Sequence, residues 1–131
     1  MLTKLIIFLV ALGAAYLFIR WRIRVATQNL QQLTVPDGAI DLPQHPDGLL
    51  LLFHHPRCGP CREVAAYFDQ IASTAPDRVL KINVAEQTEL TRAFGIRATP
   101  TILLIKDNKV NKAFIGPVSL QKLQMLLKLS P

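Results

Sequence analysis

The residues best suited to chemistry are Cys58 and Cys61, held two positions apart by Gly59 and Pro60. They are the only cysteines in the 131-residue chain, so its sulfur is concentrated in one turn and not distributed among structural staples. That turn lies between an apolar run and an amphipathic stretch, where a thiol at the start of a helix meets unpaired backbone N–H groups and the positive end of the macrodipole. Both favour thiolate over thiol. Cys58 has this place and Cys61, one helical turn on, is the resolving thiol. Pro60 suits a first helical turn, and Gly59 is expected to let the chain turn tightly enough to bring the sulfurs together. The chemistry implied is disulfide exchange: Cys58 attacks a disulfide in a partner protein, and Cys61 then displaces the reduced product. No cofactor is required. Arg57, next to Cys58, supplies a cation expected to lower the thiol pKa further; the alternative is a solvated arginine with little effect.

The elements that must carry this turn are legible around it. Leu49 to Phe53 is an apolar run bounded by Gly48 and Pro56, which suits a strand buried on both faces. After the cysteines, Val64, Phe68, Ile71 and Ala75 recur at helical spacing and predict a helix from about Pro60 to Thr74, ended by Pro76-Asp77. Val79 to Val84 alternates as a second strand. Leu90, Ala93 and Phe94, with Gly95 behind them, predict a short helix and its stop. Thr101 to Ile105 and Val110 to Ile115 form a hairpin about the turn signal Asp107-Asn108, and Leu120, Leu123, Met125, Leu126, Leu127 and Leu129 mark a terminal helix. The order predicts an α/β fold with a mixed sheet covered by helices on both faces.

The first quarter of the chain stands apart. Leu5 to Ile19 is wholly apolar, Gly or Tyr, flanked by Lys4 on one side and by Arg20, Trp21, Arg22 and Arg24 on the other. About 20 apolar residues span a bilayer, so residues 1–24 are read as a short single-pass membrane anchor with a basic, aromatic flank. A cleaved signal peptide, cut near Gly13-Ala14-Ala15, is the competing reading; the arginines just beyond the apolar core oppose translocation and favour retention. The arginine excess leans towards a cytoplasmic domain, with a periplasmic or extracellular one as the alternative. Residues 25–47, polar and broken by Pro36, Gly38, Pro43 and Pro46, read as a linker, with Gly38 to Leu42 a candidate edge strand. The domain proper is then 48–131.

Net charge is +6, divided as +4 over residues 1–24, −3 over 25–47 and +5 over 48–131. The lysines and arginines of the last part are dispersed singly, without interleaved aromatics, which argues against nucleic acid and for solubility or attraction to anionic lipid. His54, His55, Cys58 and Cys61 contain the donor types of a tetrahedral zinc site, but adjacent histidines rarely aim at one metal and no second pair follows at finger spacing. No metal is assigned.

Over residues 48–131 the chain resembles the thioredoxin family. Cys58-Gly59-Pro60-Cys61, Lys81-Ile82-Asn83-Val84 and Phe94-Gly95-Ile96-Arg97-Ala98-Thr99-Pro100-Thr101 carry the likeness. It implies a thioredoxin-like fold in which Pro100 follows a cis bond and sets the Thr99 loop against the sulfurs. Thr99, Pro100 and, by the same likeness, Gly116 would line the groove for an extended substrate segment. Without the resemblance, Thr99-Pro100 reads only as the entry to a strand.

The departures from the family pattern bear on proton handling. Where the family usually has a buried aspartate six residues before the first cysteine, this chain has Leu52; Lys81, which resembles the aspartate's lysine partner, is then expected to lack a counter-charge. Arg57 stands in the place of a tryptophan and His54 in that of an aromatic. His54 is a candidate to accept the Cys61 proton in place of the missing carboxylate; the alternative is that one of His54 and His55 caps the strand and the other is solvated.

The function implied is that of a membrane-tethered, monomeric protein disulfide reductase, fed by an upstream reductant and acting on a disulfide-bearing protein. A redox-inactive binding module is the alternative, and the intact dithiol argues against it.

Overall fold

A computed structural model describes residues 1–31, 33–35, 42–43 and 45–128. Helix α1 covers Leu2–Gln31, followed by β1 (Leu49–His54), α2 (Gly59–Ala72), β2 (Val79–Asn83), α3 (Thr88–Ala93), β3 (Thr101–Lys106), β4 (Lys109–Ile115) and α4 (Leu120–Leu126). The sheet has the order β2-β1-β3-β4; β1 and β2 are parallel, while β1–β3 and β3–β4 are antiparallel. This is the mixed sheet expected from the order of elements.

Each face of the sheet has its own core. Leu50 and Leu52 of β1 and Ile102 and Leu104 of β3 pack against Val64, Phe68 and Ile71 of α2 and Leu123 of α4. Leu49, Leu51 and Phe53 point the other way, towards Leu90, Phe94, Leu103, Ile105, Val110 and Ala113. The alternation follows from the two-residue period of a strand, and it explains why the five residues Leu49 to Phe53 are all buried. Val110 and Ala113 share a face although three positions apart, because the register shifts between Leu104 and Ile105 and leaves Asn111 without a partner residue on β3.

Two backbone positions close the domain. Gly48 has φ +97°, and a Cβ there would stand 3.0 Å from the Ile105 carbonyl oxygen and from a Leu104 methyl, so the entry to β1 requires glycine. Asp107 and Asn108, with φ of 52° and 58°, form the β3–β4 turn in the left-handed conformation that Asp and Asn tolerate. α3 ends as expected: Gly95 has φ +63°, and its N–H and that of Ile96 donate back to the carbonyls of Arg92 and Thr91. α4 stops at Leu126, with Lys128 left-handed at φ 55°; the expected continuation to Leu129 lies outside the described residues.

The N-terminal region differs from expectation in extent. α1 is long and apolar enough to cross a membrane, yet it runs past Arg24 to Gln31, because the polar stretch Ala26 to Gln31 contains no Pro or Gly to break it. The stretch 25–47 is also not a free tether at every position. Leu30, Val35 and Leu42 are buried in the core on the Phe94 side. Val35 donates its N–H to Asn108, Val110 donates to Leu33, and Thr34 bridges Lys109, so this segment covers the outer edge of β4. The edge strand expected over Gly38 to Leu42 falls outside the described residues except for Leu42, which is buried but not in a strand.

Candidate functional site

The dithiol sits where β1 gives way to α2. The chain leaves His54, turns through His55 to Cys58 with the Cys58 N–H donating to the His55 carbonyl, and enters the helix at Gly59. Cys58 is the N-cap residue, in extended conformation, and Pro60 occupies the first turn, where a missing N–H breaks no helical bond. Cys58 and Cys61 form a disulfide, with their Cα atoms 5.2 Å apart. Cys61 is 1 % exposed beneath the helix start, whereas Cys58 is only partly covered. The helix start therefore leaves one cysteine accessible and shelters the other.

Gly59 is not needed for the reason expected. It lies in the helix without a left-handed φ, and open space surrounds the position a Cβ would take. Close approach of the sulfurs comes from the helical turn itself.

The loop before β3 comes up against this turn. The Thr99–Pro100 peptide bond is cis, and the Thr99 carbonyl oxygen lies 3.7 Å from the Cys58 sulfur. Pro100 is buried, and its carbonyl accepts from the N–H of Gly116 at 2.8 Å. Gly116 has φ +101° with open space beside it. Thr99, Pro100 and Gly116 are thus at the same end of the sheet as the disulfide, brought there by the pairing of Phe53 with Thr101 and of Thr101 with Ile115.

Arg57 is exposed, and its N–H donates to Nδ1 of His55. His54 is half-buried and ends β1 on the face of Leu50 and Leu52, the side covered by α2. Burial, then the Lys81 charge and to a smaller extent His55, hold its pKa below the ordinary imidazole value; Glu86 and Asp69 oppose the shift. The imidazole is neutral at neutral pH, the form that accepts a proton.

The expectation that Lys81 would lack a counter-charge is corrected. Its ammonium donates to the carboxylate of Asp69 on α2. Leu52, facing Lys81 in the β1–β2 register, is fully buried among apolar side chains. The charge that answers Lys81 therefore comes from the surface of the helix and not from the core of the sheet. Asp69 carried no signal in the sequence beyond its place, eight residues after Cys61 and on the flank of α2, beside the buried stripe of Val64 and Phe68. The sulfurs of the four residues weighed as a zinc set are bonded to each other, and no group of metal-ligating side chains gathers among the described residues.

Comparison with known proteins places this geometry. The thioredoxin family profile matches residues 40–129. The chain is 38% identical over 72 residues to Thioredoxin 1 of Synechococcus elongatus, a match covering 53% of this chain and 67% of that protein. It is 30% identical over 119 residues to the chloroplastic M-type thioredoxin of Zea mays, covering 79% and 71%. Among solved structures, thioredoxin of Malassezia sympodialis superposes with a TM-score of 0.58 at 28% identity, over 75% of this chain and 87% of that one. Oxidised mitochondrial thioredoxin 3 of Saccharomyces cerevisiae gives 0.58 at 25% identity, over 77% and 95%. A bonded cysteine pair at the start of α2, a cis-proline loop against it and a profile match over most of the chain agree: the chain belongs to the thioredoxin family of thiol–disulfide oxidoreductases.

Proposed function

We propose that the chain reduces disulfides in partner proteins from a fixed position on a membrane. The observation that carries this reading is the asymmetry of the sulfurs, with Cys58 accessible at a helix start and Cys61 buried behind it. In the reduced protein the Cys58 thiolate, favoured by the helix start and by the nearby Arg57 cation, attacks one sulfur of the client disulfide and releases the other as thiolate. Cys61, after losing its proton, attacks Cys58 and frees the second client sulfur. The client gains two electrons and two protons, and the protein is left as the disulfide, which an upstream dithiol reductant restores. Thr99, placed by the cis bond before Pro100, offers main-chain groups and Gly116 open space to an extended client segment beside Cys58. His54 takes the Cys61 proton, a role supported by its neutrality and by its place on the α2 face of the sheet.

α1 spans the bilayer in this reading, with its arginine flank and the domain on the cytoplasmic side. The function is tested on the full-length protein in detergent or bilayer discs by dithiol-driven reduction of insulin, with Cys58→Ser as control. Activity lost in the variant supports the reductase; equal rates would leave the fold as a binding module. A reporter active on only one side of the membrane, fused after Pro131, tests the orientation.

A further inference from the structure

Strand β4 bears two different surfaces. On one side Val110 and Ala113 receive Leu30 from the end of α1. On the other, Lys112 and Phe114 join Lys106, Lys122 and Met125 around an open groove of about 790 Å³ between the sheet and α4. Its apolar members are accessible: Met125 is 67% exposed and Phe114 is half-buried, with the Lys122 ammonium 4.5 Å from the Phe114 ring centroid. Among the described residues the groove carries a single acid, Asp47, which is paired with Lys128 at 3.7 Å. Lys106, Lys112 and Lys122 have no carboxylate partner among the described residues.

We propose that this face is a second, electrostatic contact with the membrane, in which Lys106, Lys112 and Lys122 rest on anionic lipid headgroups and Met125 and Phe114 meet the interface. The proposal rests on the reading that α1 spans the bilayer. Two features favour lipid as the occupant. The signs are complementary, with three cations that meet no carboxylate among the described residues set around exposed apolar side chains, the composition of an interfacial surface. The anchor also brings the strand close: from Arg24, at the end of the basic flank, to Leu30, packed on β4, is about 9 Å of helical rise. That is comparable with the Debye length of about 8 Å at physiological salt, so the edge strand that carries Lys112 lies close to the headgroup region. Such a contact would fix the orientation of the domain and hence the direction in which Cys58 meets its clients.

The test uses the full-length protein in bilayer discs of phosphatidylcholine, alone or with about a third phosphatidylglycerol, and follows amine acylation by mass spectrometry. Lys81, on the opposite edge strand, serves as internal reference. Acylation of Lys112 and Lys122 is expected to slow about tenfold in the anionic discs, and to recover in about 0.5 M salt, while Lys81 is unchanged. Equal rates in both discs, with the protein resistant to alkaline extraction, would overturn the lipid contact while leaving the anchor standing. Protein stripped from the discs by alkali would instead remove the spanning reading, and this contact with it. Protection by soluble polyglutamate but not by phosphatidylglycerol would assign the face to an acidic protein and likewise overturn the proposal.

Discussion

The Lys81 ammonium on β2 is held by the Asp69 carboxylate on α2, and both charges act on the imidazole of His54 at the end of β1. Lys81 pushes the His54 pKa down and Asp69 pushes it up. Lys81→Met is therefore expected to raise the His54 midpoint towards about 6.5, and Asp69→Asn to lower it further, as read from the imidazole proton resonances. Because the folded value lies below the unfolded one, stability is whole above about pH 6.5 and declines as the pH falls towards the folded midpoint. His54→Gln should remove that decline in chemical denaturation; parallel curves for the two proteins would show that the imidazole does not feel its surroundings.

The same imidazole supports a kinetic expectation. If it accepts the Cys61 proton, His54→Ala lowers the rate of insulin reduction more at about pH 6–8 than at about pH 9, where hydroxide ionises the thiol unaided. An equal loss at every pH would assign His54 a purely structural part.

Leu52 marks where a carboxylate cannot simply be restored. It is fully buried among Leu50, Val64, Phe68 and Ile102, and the lysine opposite is already engaged by Asp69. Leu52→Asp is expected to cost about 3–5 kcal/mol at neutral pH, from lost apolar contacts and an uncompensated charge. Burial raises the new carboxyl's pKa, so the cost shrinks as the pH falls towards about 4. A variant as stable as the parent at pH 7 would mean that water or Lys81 reaches this position.

Arg78 is 6 % exposed, and among the described residues its guanidinium bonds main chain alone: Nε donates to the Gly48 carbonyl and Nη2 to that of Leu127, each at 3.0 Å. It ties the entry of β1 to the end of α4. Removing it leaves two carbonyls without their charged donor, so Arg78→Ala should cost about 2–4 kcal/mol. Arg78→Lys recovers only part, because one ammonium cannot make both bonds in the guanidinium geometry. Hydrogen exchange should show α4 loosening first; uniform loosening of the whole domain would contradict the local tie.

Much of this fold was legible because its strongest signals are local. The apolar run Leu49 to Phe53, the helical spacing of Val64, Phe68 and Ile71, and Asp107-Asn108 in the turn each determine their own element. What escaped depends on residues distant in sequence. Ala26 to Gln31 is polar and reads as linker, yet helix propagates through it because nothing breaks it, and Leu30, Val35 and Leu42 find their partners only once β4 exists. The Lys81–Asp69 pair follows from how α2 lies on the sheet, which no periodicity encodes. Proximity of Thr99 to Cys58, across 41 residues, was reachable only through family likeness.

The inequality of the two sulfurs is tested most directly by alkylation of the reduced full-length protein across a range of pH, with each cysteine followed by mass spectrometry. Cys58 should react with an apparent pKa below the ordinary thiol value of about 8.5, and Cys61 at least tenfold more slowly, roughly the protection that burial at the helix start implies. Equal rates at both sulfurs, or a Cys58 that titrates as an ordinary thiol, would contradict the account.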